Sequence, residues 1–384
     1  MKRYLLVLSG LELGGSERQA INLAKYLKST GRYATILGLT APGMVNEICR
    51  KENIECVSMP SGDRITCHFL SIVSSLNKIF FNKQMWIAGE ALMRRLARFI
   101  KKGNYDVCIS YCTYANTILG CAQRYYSQPV YVWYQRDAGI FDETEGYQKK
   151  SIQRMNYVLA NGRSGQEWIR RAYGVDAEII YNGVVLCSPE TGRAGWREKL
   201  KADDSTVVCT MIANLSGAKD HLSVLKIWTE LQRIDITHKL ILVLAGRFDD
   251  QYESLQKFVD GHNLSEQVLF LGEIRDISGL LTATDICIFG AKSEGSPNGI
   301  IEASFAGLPV VATDLPEIRE VLAEINYKFL FQRDNISCAL EGLLELAEKR
   351  ELREQIGIMN REKAETMFSY EKNFKKIIDL VETE

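Results

Sequence analysis

The chain has 384 residues, of which 46% are hydrophobic and 25% are charged, and its formal net charge is −1. This composition is typical of a folded globular protein and excludes a disordered or fibrous one. The length suits two domains, and the balanced charge argues against a basic surface for nucleic acid, so we expect no nucleic-acid partner.

Ten cysteines are scattered along the chain without a repeating pattern. The closest pair, Cys108 and Cys112, has no nearby histidine or second cysteine pair to complete a zinc site. We therefore expect reduced, mostly buried thiols in a cytoplasmic protein. The apolar run at residues 1–8 is too short for a signal peptide, and no segment is apolar for long enough to span a bilayer.

Apolar strands alternate with helical patterns along the whole chain. In the first half, strands are predicted at 4–8, 34–39, 54–59, 106–110 and 129–134, with helices at 16–27, 45–51 and roughly 70–100. In the second half, strands are predicted at 207–213, 240–245, 268–271, 286–289 and 309–312, with helices at about 222–233 and 254–263. This alternation predicts βαβ units and parallel sheets, and hence an α/β protein of two Rossmann-like, doubly wound domains.

The best candidate for a linker is residues 181–189, which places the domain boundary between 184 and 185, with a second domain of residues 185–365. Ligands of parallel sheets bind at the carboxyl ends of the strands. With two such domains, the expected site is the cleft between them.

Two glutamates, Glu294 and Glu302, stand in the most informative stretch of the second half. Ser296 is expected to cap a helix with Pro297 at its first position, so Glu294 precedes the helix and Glu302 lies about one and a half turns into it. A helix N-terminus binds phosphate, and the two carboxylates could take hydroxyls of a ribose and of a sugar. The alternative is an ordinary amphipathic helix with one exposed glutamate.

Two further junctions between a strand and a helix carry candidate site residues. Gly14 and Gly15 follow the first strand with the wrong spacing for a dinucleotide fingerprint, but their backbone N–H groups could meet an anion. Lys219 follows the first strand of the second half and could neutralise a departing diphosphate. The alternatives are a plain turn and a solvated surface lysine.

Taken together, these motifs resemble those of the retaining glycosyltransferases of family 4, which have the GT-B fold. The stretch from Glu294 to Glu302, continued to residue 314, is similar to the E-x7-E region of that family. Gly14-Gly15 followed by Glu17 resembles its N-terminal glycine loop. Other segments that resemble the family are the domain junction at 179–185, the third strand of the second domain at 268–272, and the next helix end at 283–286.

The resemblance implies a role for each matching residue. Glu302 would hold the ribose of a nucleotide sugar, Glu294 would contact the donor sugar, and Lys219 would compensate the diphosphate charge. The remaining donor contacts would come from Gly14, Gly15, Ser296, Pro297, Asn298, Gly299 and Ile300. The family also implies that a C-terminal helix, at about 366–384, packs back on the first domain.

The chain departs from the family pattern at two places. Asn214 stands where the family commonly has an arginine that also contacts the donor, and Arg247 or Arg136 are the candidate substitutes. No histidine follows the strand at 129–134, so Gln135, Arg136 and Asp137 are the candidates for sugar or acceptor contacts. The alternative for this segment is a buried strand followed by a charged turn. The predicted catalytic set is therefore Glu294, Lys219, Arg136 and Asp137.

The sequence contains no D-x-D motif, so we expect neither a metal ion nor another cofactor. Lys219 and the helix start would then stabilise the leaving diphosphate in a front-face displacement. The family implies a UDP-sugar donor, with a GDP-sugar next, and a glycan or lipid-linked saccharide acceptor in polysaccharide or glycoconjugate assembly. The alternatives are a UDP-sugar 2-epimerase on the same architecture and a non-catalytic nucleotide-sugar-binding protein.

An apolar stretch at 67–87 contains scattered lysines and is followed by basic residues from Arg94 to Lys102. Such a segment could lie at the cytoplasmic face of the membrane and meet a lipid-linked acceptor. The favoured alternative is a helix that packs on the sheet of the first domain.

Overall fold

The computed structural model describes residues 1–59, 78–137, 145–234 and 238–383. They form two compact units, which we call the N-terminal unit (Met1–Gly183 with Tyr370–Glu384) and the C-terminal unit (Val184–Ser369). The division in the chain falls one residue before the position suggested by the sequence. The first part of the helix expected at roughly 70–100, residues 70–77, lies outside the described residues.

The N-terminal unit is built on a seven-stranded parallel sheet. Its strands are β1 (Arg3–Leu8), β2 (Tyr33–Gly38), β3 (Glu55–Ser58), β4 (Val107–Tyr111), β5 (Val130–Gln135), β6 (Tyr157–Ala160) and β7 (Glu178–Ile179). Its helices are α1 (Gly15–Ser29), α2 (Met44–Lys51), α3 (Lys78–Gly103), α4 (Thr113–Ala122), α5 (Glu145–Ile152) and α6 (Arg163–Tyr173), with a 3₁₀ turn at Gln123–Tyr125. The strand order β3-β2-β1-β4-β5-β6-β7 reverses direction between β1 and β4.

Both faces of this sheet are buried, which is why its strands are almost continuously apolar. Along β1, Leu6 packs in a cluster on one face, and Leu5 packs on the other face in a cluster with Leu92 and Leu96 of α3. From Leu92 onward α3 therefore packs on the sheet. The apolar stretch at 67–87 lies outside the residues whose side chains are described, so its packing on the sheet and its contact with a membrane both stay predictions. The basic residues at the C-terminal end of α3 are exposed: Arg94, Arg95, Arg98, Lys101 and Lys102.

The C-terminal helix of the chain, Tyr370–Glu382, belongs to the N-terminal unit. Its Phe374 packs in the same cluster as Leu6, and the ring of Tyr370 lies edge-on to Tyr26 of α1 at 5.7 Å between centroids. Glu382 accepts from Arg32 at 2.7 Å. The end of the chain is thus held to this unit by apolar packing and an ion pair.

The C-terminal unit repeats the architecture with six parallel strands. They are β8 (Val207–Ile212), β9 (Leu240–Ala245), β10 (Val268–Gly272), β11 (Ile286–Phe289), β12 (Val310–Thr313) and β13 (Leu330–Phe331), in the order β10-β9-β8-β11-β12-β13. The helices, numbered on from α6, are α7 (Arg193–Lys199), α8 (His221–Leu231), α9 (Tyr252–Gly261), α10 (Ile277–Ala283), α11 (Asn298–Phe305), α12 (Pro316–Val321), α13 (Ile336–Glu348) and α14 (Arg350–Met367), with a 3₁₀ turn at Glu324–Phe329. The C-terminal helix Tyr370–Glu382 is α15.

Two doubly wound parallel sheets confirm the α/β fold expected from the sequence. Three short strands, β6, β7 and β13, were not predicted; β7 and β13 have only two residues each, too few to show a periodicity of their own. Among the described helices, none is both long and apolar enough to span a membrane.

Candidate functional site

The order of the strands in the C-terminal unit reverses between β8 and β11. In open parallel sheets, ligands bind outside the carboxyl ends of the strands at such a switch point. The loops that follow β8 and β11 are joined there, because Lys219 and Ala291 form an antiparallel bridge and the N–H of Lys292 donates to the carbonyl of Ala218 at 3.1 Å. Gly290 allows this contact, since a Cβ at that position would lie 2.3 Å from the carbonyl oxygen of Asp220.

The joined loops bring Lys219 and Glu294 into direct contact. The ammonium group of Lys219 donates to Oε1 of Glu294. Glu294 is 7% exposed, whereas the Lys219 side chain is 23% exposed and its Nζ lies 5.3 Å from the ring centroid of Phe289. The two residues that the sequence assigns to the diphosphate and to the donor sugar thus form an ion pair.

Burial raises the pKa of Glu294 above the usual glutamate range, while Lys219 lowers it and the nearby carboxylate of Glu317 raises it. Glu317 is itself buried, in the first turn of α12. A buried carboxylate with a raised pKa beside a lysine is typical of functional sites.

The helix that carries Glu302 begins one residue later than the sequence predicts. Ser296 does not cap it; Pro297 is the N-cap residue, and its carbonyl accepts from the N–H groups of Ile300 and Ile301, both at 3.0 Å. Proline has no N–H to donate and its φ of −75° suits this position as well as the first helical one, so the sequence could not fix the exact start.

Helix α11 points its N-terminus at the carboxyl end of β8. A Cβ on Gly299 would lie 2.3 Å from the carbonyl oxygen of Ile212, so only glycine lets the helix approach the strand this closely. The first N–H groups of a helix lack intrahelical partners and carry the positive end of its dipole. Glu302 is the fifth residue of α11 and is partly exposed.

Asn214 and Arg247 lie next to each other in this unit. The side-chain carbonyl of Asn214 accepts from the backbone N–H of Arg247 at 3.2 Å, which links the loops after β8 and β9. The Arg247 guanidinium donates from Nε to Asp249 Oδ1 at 2.6 Å. The role of Arg247 as a substitute for the family arginine stays a prediction, and its charge is already paired with a carboxylate.

Sequence reasoning missed two other charged residues at the same edge. Asp220 caps α8, accepts from Arg333 Nε at 2.8 Å, and also accepts from the hydroxyl of Ser223. Burial opposes ionisation of Asp220, but these hydrogen bonds hold its pKa below the usual range. The spacing Asp220-x-x-Ser223 is a capping signal that could have identified the aspartate, whereas Arg333 is brought in only by tertiary packing.

Next to Asp220, His221 is buried at the start of α8. Burial is the main reason that its pKa falls to about 4. The imidazole is therefore neutral near pH 7.

The N-terminal unit has its own polar cluster at the switch point between β1 and β4. Gly14 is the N-cap of α1 and Gly15 its first residue, and the hydroxyl of Ser16 lies 3.1 Å from Cys112 Sγ after β4. Cys112 has φ 69° and ψ 155°, a conformation that is strained for any residue with a Cβ. Strained backbone of this kind is found preferentially at functional sites.

Arg136 and Asp137 follow β5 at the same edge of this sheet. Arg136 is 7% exposed, lies over the ring of Tyr134 at 4.8 Å, and donates from Nη2 to Asn182 Oδ1 at 2.6 Å. Asp137 Oδ1 accepts from Gln135 Nε2 at 3.0 Å. The predicted site residues therefore form two groups, one in each unit, and within the described residues no cluster of His, Cys, Asp and Glu is suited to a metal ion.

Two family models match the chain, one in each unit. The model described as Glycosyltransferase Family 4 matches residues 13–186, and the model described as Glycosyl transferases group 1 matches residues 193–363. Together they account for nearly the whole chain. The protein belongs to the group 1 glycosyltransferases and has the GT-B fold.

Individual relatives share only low sequence identity with this chain. An uncharacterized glycosyltransferase of Haemophilus influenzae is 26% identical over 47% of this chain and 48% of its own length. A UDP-Gal:alpha-D-GlcNAc-diphosphoundecaprenol alpha-1,3-galactosyltransferase of Escherichia coli is 24% identical over 53% of each chain. The chain thus spans about half the length of these curated relatives.

The fold also matches solved structures over the full chain. The Anabaena protein HepE, crystallised in complex with UDP, has a TM-score of 0.80 at 18% identity and covers 100% of both chains. At this level of identity the match concerns the fold.

Proposed function

We propose that the protein is a retaining glycosyltransferase that transfers a hexose-type sugar from a nucleotide sugar to a glycan or lipid-linked saccharide. The observation that carries the proposal is the Lys219–Glu294 pair, which lies beside the start of α11 at the switch point of the C-terminal sheet. A cation, a helix N-terminus and a buried carboxylate meet there, which are the groups that a sugar diphosphate requires.

In this proposal each group acts on a different part of the donor. The ammonium group of Lys219 and the N–H groups at the start of α11 hold the diphosphate and stabilise the charge that develops as it leaves. Glu294 takes hydroxyls of the transferred sugar, and Glu302 takes the ribose hydroxyls. Binding of the diphosphate therefore requires Lys219 to share its protons between Glu294 and a phosphate oxygen.

The chemical step that we propose is a front-face displacement. The acceptor hydroxyl oxygen forms a bond to the anomeric carbon on the face from which the phosphate oxygen departs, so the configuration is retained. The C–O bond to the phosphate breaks, its electron pair stays on the phosphate, and the hydroxyl proton moves to that phosphate oxygen. No metal ion takes part in this scheme, since Lys219 and the helix dipole supply the positive charge.

For the donor we propose a UDP-sugar, with a GDP-sugar as the second candidate. HepE, which shares the fold, was crystallised with UDP, and the galactosyltransferase relative is named for a UDP-sugar. That relative is also named for a sugar acceptor on diphosphoundecaprenol, so a lipid-linked saccharide and a role in cell-surface polysaccharide assembly are included in the proposal. We also propose that the protein works in the cytoplasm.

A screen of nucleoside diphosphates and nucleotide sugars by thermal shift tests the donor site. A ligand that binds only the folded protein raises its melting temperature, so the preferred base and sugar are identified together. The selected donor is then incubated with an acceptor panel, with and without a chelator. Transfer with retained configuration in chelator is the expected result. Epimerised donor without transfer supports the epimerase alternative, and activity that vanishes with chelator and returns with one divalent ion contradicts the metal-free step.

A further inference from the structure

Arg136 of the N-terminal unit is a buried cation with unused hydrogen-bonding capacity. Its Nη2 is bonded to Asn182, but Nε and Nη1 are buried and have no partner among the described residues. These two atoms carry more than half of the N–H protons of the guanidinium. Buried polar groups are almost always satisfied, and a buried charge without full compensation destabilises a fold.

The surroundings of Arg136 hold it in place without neutralising it fully. The rings of Tyr134 and Tyr111 lie below the guanidinium, at 4.8 and 5.9 Å from its central carbon, and Asn182 fixes one end. Asn161 donates to the backbone carbonyl of Arg136 at 3.2 Å, which anchors the main chain. A planar cation held this firmly presents its free N–H groups in a defined direction, as a site for an oxyanion requires.

Two carboxylates near Arg136 restrict what such an oxyanion can be. Glu17, at the start of α1, is partly buried; burial raises its pKa, and Arg136 lowers it. Asp137 is the next residue, and both carboxylates act electrostatically on the thiol of Cys112, as does Arg136. These two carboxylates repel a diphosphate with two or more negative charges more strongly than they repel a single negative charge, and hydroxyl groups beside that single charge can donate to the carboxylates.

We propose that Arg136 binds a singly charged oxyanion carried by the acceptor, with Glu17 and Asp137 accepting hydrogen bonds from neighbouring hydroxyls. The acceptor class is then an acidic saccharide, whose charge is a sugar carboxylate or a phosphodiester. The identification of this ligand as the acceptor rests on the function proposed above, whereas the oxyanion site itself does not depend on that function. Arg136 is in this view no substitute for the missing donor arginine at Asn214.

The experiment uses the full chain saturated with UDP and follows its melting temperature. The probes are D-glucuronate, dimethyl phosphate, D-glucose and pyrophosphate, each tested up to tens of millimolar at constant sodium concentration and ionic strength. We expect stabilisation by glucuronate that glucose does not give. Stabilisation by dimethyl phosphate as well assigns the charge to a phosphodiester source, and its absence assigns it to a sugar carboxylate.

Two arginine variants test whether Arg136 is the residue that binds glucuronate. Arg136→Gln should abolish the glucuronate shift and leave the affinity for UDP unchanged within about twofold. Arg18→Gln, at an exposed position of α1, is the matched control and should keep both. A glucuronate shift that survives in Arg136→Gln, or no shift in the wild-type protein, overturns the proposal.

The same variants separate this proposal from the donor proposal. Loss of UDP binding in Arg136→Gln, with pyrophosphate competing against UDP in the wild-type protein, would assign Arg136 to the donor diphosphate and overturn the acceptor assignment. If the wild-type protein binds no nucleotide, the proposed function fails, while the glucuronate measurement without UDP still tests the oxyanion site.

Discussion

The ammonium group of Lys219 contacts the carboxylate of Glu294 where the C-terminal sheet changes strand order. Each residue comes from a different loop, and the backbone bridge between Lys219 and Ala291 fixes the two loops to each other. The pair therefore joins the two loops in the free protein, and in the function proposed above it also binds the donor.

Removing the cation should leave a buried carboxylate unpaired. Lys219→Met should lower the free energy of unfolding by about 2 kcal/mol, less than for a fully buried pair because Lys219 is partly exposed. The double variant Lys219→Met/Glu294→Gln should recover most of this loss, because no charge then stays buried. Thermal and urea unfolding of the wild type, Lys219→Met, Glu294→Gln and the double variant measure the coupling energy between the two residues. Additive effects of the two single changes would show that the contact has no energetic weight.

Glu294 should make the stability depend on pH. Because its folded pKa is raised above its unfolded value, the folded state binds a proton more readily, and its contribution to stability falls as the pH rises from about 4.3 through the folded pKa. Glu294→Gln removes the free-energy cost of ionising this buried carboxyl group. The melting temperature of the variant relative to the wild type should rise with pH across this window and then level off. A difference that stays constant between pH 4 and 8 would mean that Glu294 titrates normally.

The two glutamates should divide binding and transfer between them. Glu302→Ala should weaken UDP binding by about tenfold or more, because it loses hydrogen bonds from the ribose to a charged group. Glu294→Ala should bind UDP at least as well as the wild type, since Lys219 is released, but transfer should fall by about 100-fold. Calorimetric titration with UDP and a transfer assay measure the two effects. The exposed Glu253→Ala is the control and should change neither. Equal, negligible effects of the two substitutions would contradict the assignment of both glutamates to the donor site.

The close approach of α11 to β8 should make the stability of the protein sensitive to substitution of Gly299. Gly299→Ala would push a methyl group against the carbonyl of Ile212, and we expect a loss of about 1–3 kcal/mol together with weaker UDP binding. Gly261→Ala is the matched control, because that glycine ends α9 with open space around its Cβ position. The control should be neutral or stabilising by roughly 0.5 kcal/mol. Equal stability of the two variants would mean that α11 can shift without cost.

The buried charge of Arg136 should lower the stability of the ligand-free protein. Arg136→Met keeps the length of the side chain and removes the charge, so its melting temperature without anion should equal or exceed that of the wild type. A large decrease, with UDP binding also lost, would assign Arg136 to the structural frame instead of a binding site.

The sequence predicted the sheets because their strands are apolar runs buried on both faces, such as 240–245 and 286–289. Glu294 and Lys219 could be placed at strand ends for the same reason. The helix start was wrong by one residue, because Pro297 suits two adjacent positions. Arg333 and Glu317 were missed, since distant parts of the chain bring them to the site and neither stands in a local motif. The unsatisfied guanidinium of Arg136 is also visible only once Asn182 and Tyr134 are placed around it.

The most direct test of the donor site is calorimetric titration of UDP into the wild-type protein and Lys219→Met, with Lys226→Met as the control on the exposed face of α8. If Lys219 holds the diphosphate, its removal should weaken UDP binding by about tenfold or more, while Lys226→Met binds as the wild type does. Equal affinities of the wild type and Lys219→Met, with the variant folded, would contradict the account.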